Sequence, residues 1–226
     1  MHRSFREVIE LLESQGKLVK IKKPVKPEYE MAALMKTLEE ESKAFIFENV
    51  ENSDYKAVGG LFTSMGRYGL IFNDDGSEDF TYEQAGQKVM SGIANPIPYK
   101  HVDSGHVTET ILQGSDIDLT TLPAPTFFEL DTGPFLTAAV GIFKKPNGEI
   151  NVGFYRCLII DKENLLINAS GLSDLRKAYA WHKENNKEMR VAMVLGAPPA
   201  LLMAAASKSP DEVSELDVAG GINGEA

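Results

Sequence analysis

Asn151-Val152-Gly153-Phe154-Tyr155-Arg156-Cys157-Leu158-Ile159-Ile160 is the stretch on which the fold turns. β-Branched and aromatic residues dominate it, and Lys145-Pro146-Asn147-Gly148 just upstream is a turn signal, so it reads as a buried strand entered through a hairpin. On an ideal strand Asn151 and Arg156 lie on opposite faces. A bulge or twist at Gly153 would bring both toward one pocket. Two readings fit these residues taken alone. In one, Asn151 closes the turn and Arg156 pairs with a carboxylate. In the other, an amide and a permanent cation belong to a site.

Around this strand, residues 101–170 read as short strands between Gly and Pro turns: Thr108-Glu109-Thr110-Ile111-Leu112, then 136–143, the quoted strand, and 164–168. Such spacing suggests an antiparallel sheet or barrel. A helix over 174–187, a strand over 191–195 and a helix opened by Pro198 and Pro199 follow. Upstream the grammar differs. Ser4 and Glu7 have capping-box spacing before Phe5, Val8, Ile9, Leu11 and Leu12, with Gly16 as a stop. Strands over 18–21, 44–47 and 57–62 alternate with helices over 28–41, 64–71 and 81–93, and Pro96 and Pro98 mark the boundary of this first unit. The expectation is an α+β chain: an α/β unit over 1–100, then an antiparallel sheet or barrel unit over 101–226.

The 226 residues suffice for one large or two small domains with a real core. Their 43% hydrophobic content belongs to an ordinary globular protein. With 23 basic against 33 acidic residues the net charge is −10, which argues against a general nucleic-acid or anionic-membrane binder. No stretch approaches the ~20 apolar residues that span a bilayer, and Met1-His2-Arg3-Ser4 leads into an amphipathic helix rather than a signal peptide. Cys157 is the single cysteine, so no disulfide forms within the chain and a reducing, cytoplasmic setting is expected. His101 and His106 flank Asp103 without zinc-ligand spacing, His182 reads as surface or packing, and Gly59-Gly60 and Gly220-Gly221 read as turns rather than nucleotide loops.

The order of several segments resembles the UbiD family of reversible (de)carboxylases, which use prenylated flavin mononucleotide. These are Glu13-Ser14-Gln15-Gly16-Lys17-Leu18, Phe45-Ile46-Phe47-Glu48-Asn49, Asp118-Leu119-Thr120-Thr121-Leu122-Pro123-Ala124-Pro125-Thr126 and Asp131-Thr132-Gly133-Pro134-Phe135-Leu136-Thr137-Ala138. Asn151 to Arg156, Leu195-Gly196-Ala197-Pro198-Pro199-Ala200, Val213-Ser214-Glu215 and Gly220-Gly221 complete the set.

The resemblance implies a flavin-binding split barrel and non-oxidative loss or addition of CO2 at an aromatic or α,β-unsaturated carboxylic acid. It also implies a divalent metal, manganese or magnesium, with potassium as a further ion, a flavin prenyltransferase as cofactor supplier and a homo-oligomer at full length. By the same resemblance Arg156 belongs to an Arg-Glu-Glu catalytic set, and Asn151, Gly153, Phe154, Tyr155, Arg156 and Ser173 face the flavin. Ser207 and Lys208 lie toward its phosphate, and Asn151, Asp174 and Glu215 hold the metal. An amide oxygen and carboxylates suit a hard cation, and a planar cationic fork suits a carboxylate.

Asp174 stands where the family usually has a His, and Ser173 or Asp174 equally suits a helix cap. Glu215 equally suits a helix start, and Lys208 a solvated charge after a helix. Family members are usually longer, and the two glutamates completing the set would lie beyond Ala226, so the chain is expected not to turn over alone. Two other classes remain in view. One is a non-catalytic flavin-binding or scaffolding subunit of a split decarboxylase; the other is an ordinary flavin reductase or carrier.

Overall fold

The structure is a computed structural model that describes residues 4–225. The readings placed on Met1, His2, Arg3 and Ala226 lie outside those residues.

The chain opens with α1 (Phe5–Ser14), whose capping box forms as the spacing predicts: the Glu7 N–H donates to Ser4 Oγ at 3.2 Å and the Ser4 N–H to Glu7 Oε2 at 2.6 Å. Gly16, at φ +66°, turns the chain out of it in the left-handed region that favours glycine. The strands β1 (Leu18–Ile21), β2 (Ala44–Phe47) and β3 (Ala57–Gly59) form a sheet in that order, β1 parallel to β2 and β3 antiparallel to it. The crossover α2 (Glu30–Glu40) supplies Leu34, Met35 and Leu38 to one face, where Phe45 and Phe47 lie. On the other, α1 and α3 (Met65–Phe72) pack Val8, Leu12, Leu70 and Ile71 around Ala44. Both faces are covered, which is why all four residues of β2 are apolar and buried.

After α4 (Tyr82–Ala94), capped by Thr81, the chain runs without strands to residue 134, interrupted by short 3-10 turns at His106–Thr108, Gly114–Asp116 and Leu119–Thr121. The strand expected over 108–112 is therefore absent. Its β-branched residues find no neighbouring strand, and Ile111 and Leu112 stay exposed.

The second sheet contains β4 (Phe135–Lys144), β5 (Ile150–Ile159), β6 (Leu165–Asn168) and β7 (Val191–Val194), in the order β6-β5-β4-β7 and antiparallel throughout. It is an open sheet rather than a closed barrel. One face packs on α6 (Pro199–Ala206) and α7 (Glu215–Asn223) through Val140, Val152, Ala205 and Leu216. The other packs Phe143 and Tyr155 on Leu175 and Ala178 of α5 (Asp174–Glu184), which ends three residues before the expected stop.

Gly220 and Gly221 form no turn. They lie inside α7, where a Cβ would sit 2.4 Å from Ile97 O and 2.6 Å from Asn95 O respectively, so they permit close packing of α7 on α4 and the segment after it. Phe72, Val89 and Ile93 from the first part of the chain share one core cluster with Ala200, Ala204, Val218 and Ile222 from the second.

Candidate functional site

β5 is regular through Gly153: Asn151 pairs with Phe143, Gly153 with Gly141 and Tyr155 with Ala139. The irregularity falls on β4, where Thr137 and Ala138 together oppose Arg156. The expected bulge at Gly153 is thus replaced by one on the neighbouring strand. Gly141 and Gly153 serve Tyr155 instead: a Cβ on either would meet its ring or hydroxyl, at 2.6 and 3.3 Å. Asn151 and Arg156 accordingly keep opposite faces, as strand alternation dictates.

Arg156 is paired in register with Asn168 and lines an open cavity of about 520 Å3 with Thr137, Phe154 and Tyr155. Asn168, Ser170 and Ser173 complete the lining. Arg156 makes no ion pair with a carboxylate among the described residues. Phe154 beside it is 40% exposed, so this end of the sheet offers an aromatic surface next to a cation.

Asn151 does not close the hairpin turn. That task falls to Asn147, whose Oδ1 accepts the Glu149 N–H at 3.2 Å. Asn151 is buried and donates from Nδ2 to Glu215 Oε2 at 3.2 Å, and the Val152 N–H donates to the same oxygen at 2.8 Å. The reason is topological. β6 covers only Arg156 to Ile159, so the edge of β5 at Val152 lacks a neighbouring strand and its N–H needs another acceptor. Glu215, the first residue of α7, supplies it with a side chain only 7% exposed.

Burial pushes the Glu215 carboxyl above its ordinary value. The Val152 N–H, its own backbone N–H, the Lys145 cation and the Ser209 hydroxyl pull the other way. Lys145 lies close because its Nζ donates to Asp211 O at 2.6 Å and pairs with Glu149 at 2.9 Å.

Tyr155 connects these groups to α5. Its phenol is pushed up to about 12, first by burial and then by the Asp174 carboxylate, with Glu215 adding to the effect and the Leu175 N–H opposing it. Asp174 and Glu215 thus both act on one hydroxyl. Asp174 itself pairs with Lys177 at 2.8 Å, and Ser173 caps α5 by accepting the Arg176 N–H at 3.3 Å. Among the described residues no three His, Cys, Asp or Glu side chains gather as a metal cluster, so a cation here would depend on the Asn151 amide as well. Ser207 donates to Ala204 O at 2.8 Å at the end of α6, and Lys208 is exposed.

Sequence reasoning passed over Lys145, Ser209, Thr137, Asn168 and Ser170. Asn168 was within reach of it, because a tight hairpin after Ile160 fixes which residue stands opposite Arg156. The others depend on loop paths that no local pattern encodes.

A family model described as the 3-octaprenyl-4-hydroxybenzoate carboxy-lyase Rift-related domain matches residues 100–226, and one described as the N-terminal domain of the same carboxy-lyase matches residues 9–85. Among solved structures, the chain is similar to an evolved dimeric form of the UbiD-class enzyme HmfF from Pelotomaculum thermopropionicum in complex with prFMN. The identity is 29% and the TM-score 0.87, over 97% of this chain and 50% of that one. The vanillic acid decarboxylase of Sedimentibacter hydroxybenzoicus, in closed form, shares the fold at 22% identity and a TM-score of 0.90, over 99% of this chain and 49% of that one. The chain therefore spans about half the length of the structures it matches.

Proposed function

Because the chain belongs to the UbiD family of carboxy-lyases, we propose that it builds the flavin- and cation-binding part of a non-oxidative decarboxylase acting on an aromatic or α,β-unsaturated carboxylic acid. The observation that carries this reading is the contact of Asn151 with Glu215, made at the same strand that presents an unpaired Arg156 to an open cavity.

The residues present fit a divalent cation at the Asn151 and Glu215 end. Glu215 is a buried carboxylate with no ion pair at contact distance among the described residues, Asn151 Oδ1 accepts no hydrogen bond there, and the Ser209 hydroxyl is buried without a partner. Hard oxygen donors left in this condition suit manganese or magnesium. Asn151 and Glu215 would hold the ion, and Asp174 would join them on release from Lys177. An ion held there would offset the charge of a cofactor phosphate.

The open face suits a flavin ring, with the exposed Phe154 as an aromatic wall. When bound, prenylated flavin mononucleotide supplies the electron sink that loss of CO2 requires. Arg156 orients the substrate carboxylate through its planar donor fork. Asn168, Ser170 and Ser173 offer neutral polar contacts around it. The cavity lining contains no carboxylic acid, so proton delivery to the carbon falls to groups other than these. That observation also favours a second reading, a flavin-binding subunit that meets its acid residues on a partner polypeptide.

The test titrates the 226-residue chain with FMN and Mn2+, following flavin fluorescence, and then measures CO2 release from a panel of aromatic and acrylic acids with reconstituted prenylated cofactor. Manganese-dependent flavin binding is expected, lost in Asn151→Ala and Glu215→Ala and kept in Arg156→Ala, without CO2 release by the chain alone. Flavin binding indifferent to both Asn151→Ala and Glu215→Ala would falsify the site assignment. Robust CO2 release would overturn the need for acid groups from elsewhere.

A further inference from the structure

The loop 207–214 between α6 and α7 carries three serines, and two of them have evident structural partners. Ser207 donates to Ala204 O at the end of α6, and Ser214 accepts the Leu216 N–H at 3.2 Å at the start of α7. The third, Ser209, does neither. Its Oγ is buried and makes no hydrogen bond. Buried hydroxyls are nearly always paired, and one without a partner marks a place where a ligand or a shifted neighbour completes the set.

The loop aims this hydroxyl firmly. Pro210 restricts Ser209 to extended backbone. The Val213 N–H donates to Pro210 O at 3.0 Å, and Lys145 Nζ fastens Asp211 O at 2.6 Å. The group close to Ser209 Oγ is the Glu215 carboxylate, on which it acts in the same sense as Val152 and Lys145. Both contacts that Glu215 receives from Asn151 and Val152 fall on Oε2, leaving lone pairs of Oε1 free.

We propose that Ser209 is a positioning residue of the cation site, its hydroxyl donating to the free oxygen of Glu215 and fixing the carboxylate in the cation-loaded protein. The inference rests on the reading of Asn151 and Glu215 as cation ligands. Hydrogen bonds to a ligating carboxylate set its orientation, and their loss typically weakens metal binding about ten- to a hundredfold. Such a role differs from a structural one in a measurable way. In the cation-free protein the hydroxyl makes no hydrogen bond of full geometry, so its removal is expected to leave the fold intact.

Mn2+ binding to the full 226-residue chain with FMN present, read by the electron paramagnetic resonance signal of free Mn2+, tests the assignment. Ser209→Ala is expected to bind Mn2+ about tenfold more weakly while its cation-free melting temperature stays level or rises, and Ser209→Thr is expected to restore the affinity. Wild-type affinity in Ser209→Ala, together with loss of binding in Glu215→Gln, would overturn the role of Ser209 and leave the cation site standing. Equal Mn2+ binding by wild type and Glu215→Gln would remove the cation site and this inference with it. A drop in cation-free melting temperature with unchanged affinity would make Ser209 structural and also overturn the proposal.

Discussion

Glu215 shows at the scale of one residue how a strand edge and a carboxylate solve each other's problem. The Val152 N–H needs an acceptor and the buried carboxylate needs donors. The exchange is incomplete, because burial still holds the folded carboxyl above its ordinary 4.5. Between those two values the folded chain binds more proton than the unfolded one. Its stability is therefore greatest below the unfolded value and falls as pH rises through the folded one. Urea denaturation of the metal-free chain across this range should show the decline, and Glu215→Gln, which keeps an acceptor but no charge, should flatten it. An unchanged slope in the variant would assign the decline to other groups. Bound Mn2+ favours the ionised form, so its affinity should climb over the same interval. That Asn151 and Glu215 meet was expected from the family resemblance. Ser209 was not, because only the loop path shows that its neighbours Ser207 and Ser214 are engaged at helix ends while it is not.

Among the elements, helices and strands with a clear period or a cap came out close to their expected limits, α1 and α4 with complete capping boxes. The failures share a cause. Thr108 to Leu112 has strand composition without a strand beside it, and Gly220-Gly221 has turn composition inside a helix pressed against α4. Pairing and close approach are tertiary facts. The helix pair offers a matched test. Gly221→Ala places a methyl 2.6 Å from Asn95 O and 2.8 Å from Gly92 O, both backbone atoms that cannot swing aside. It should cost about 1–3 kcal/mol. Gly86→Ala, on the exposed side of α4 with nothing within 4 Å, should instead stabilise by about 1 kcal/mol. Guanidinium unfolding midpoints that move in the same direction for both would refute this account of the α4 and α7 contact.

Across the whole molecule, two sheets of different grammar are joined by the cluster that sets Phe72, Val89 and Ile93 against Ala200, Val218 and Ile222. The change of grammar near residue 100 was legible. The shared core was not, since no local pattern tells which distant helix a helical stripe will meet. One cooperative transition is expected in scanning calorimetry, with calorimetric and van't Hoff enthalpies in agreement. Two resolved transitions would mean that the halves unfold separately. The position of Cys157 gives an independent way to follow that event. Its thiol is wholly buried in β5 beside the Asn151 and Arg156 positions, and burial raises it away from its reactive form. With no other sulfhydryl in the chain, the rate at which an alkylating dye marks the protein becomes a clock for the opening of its central strand.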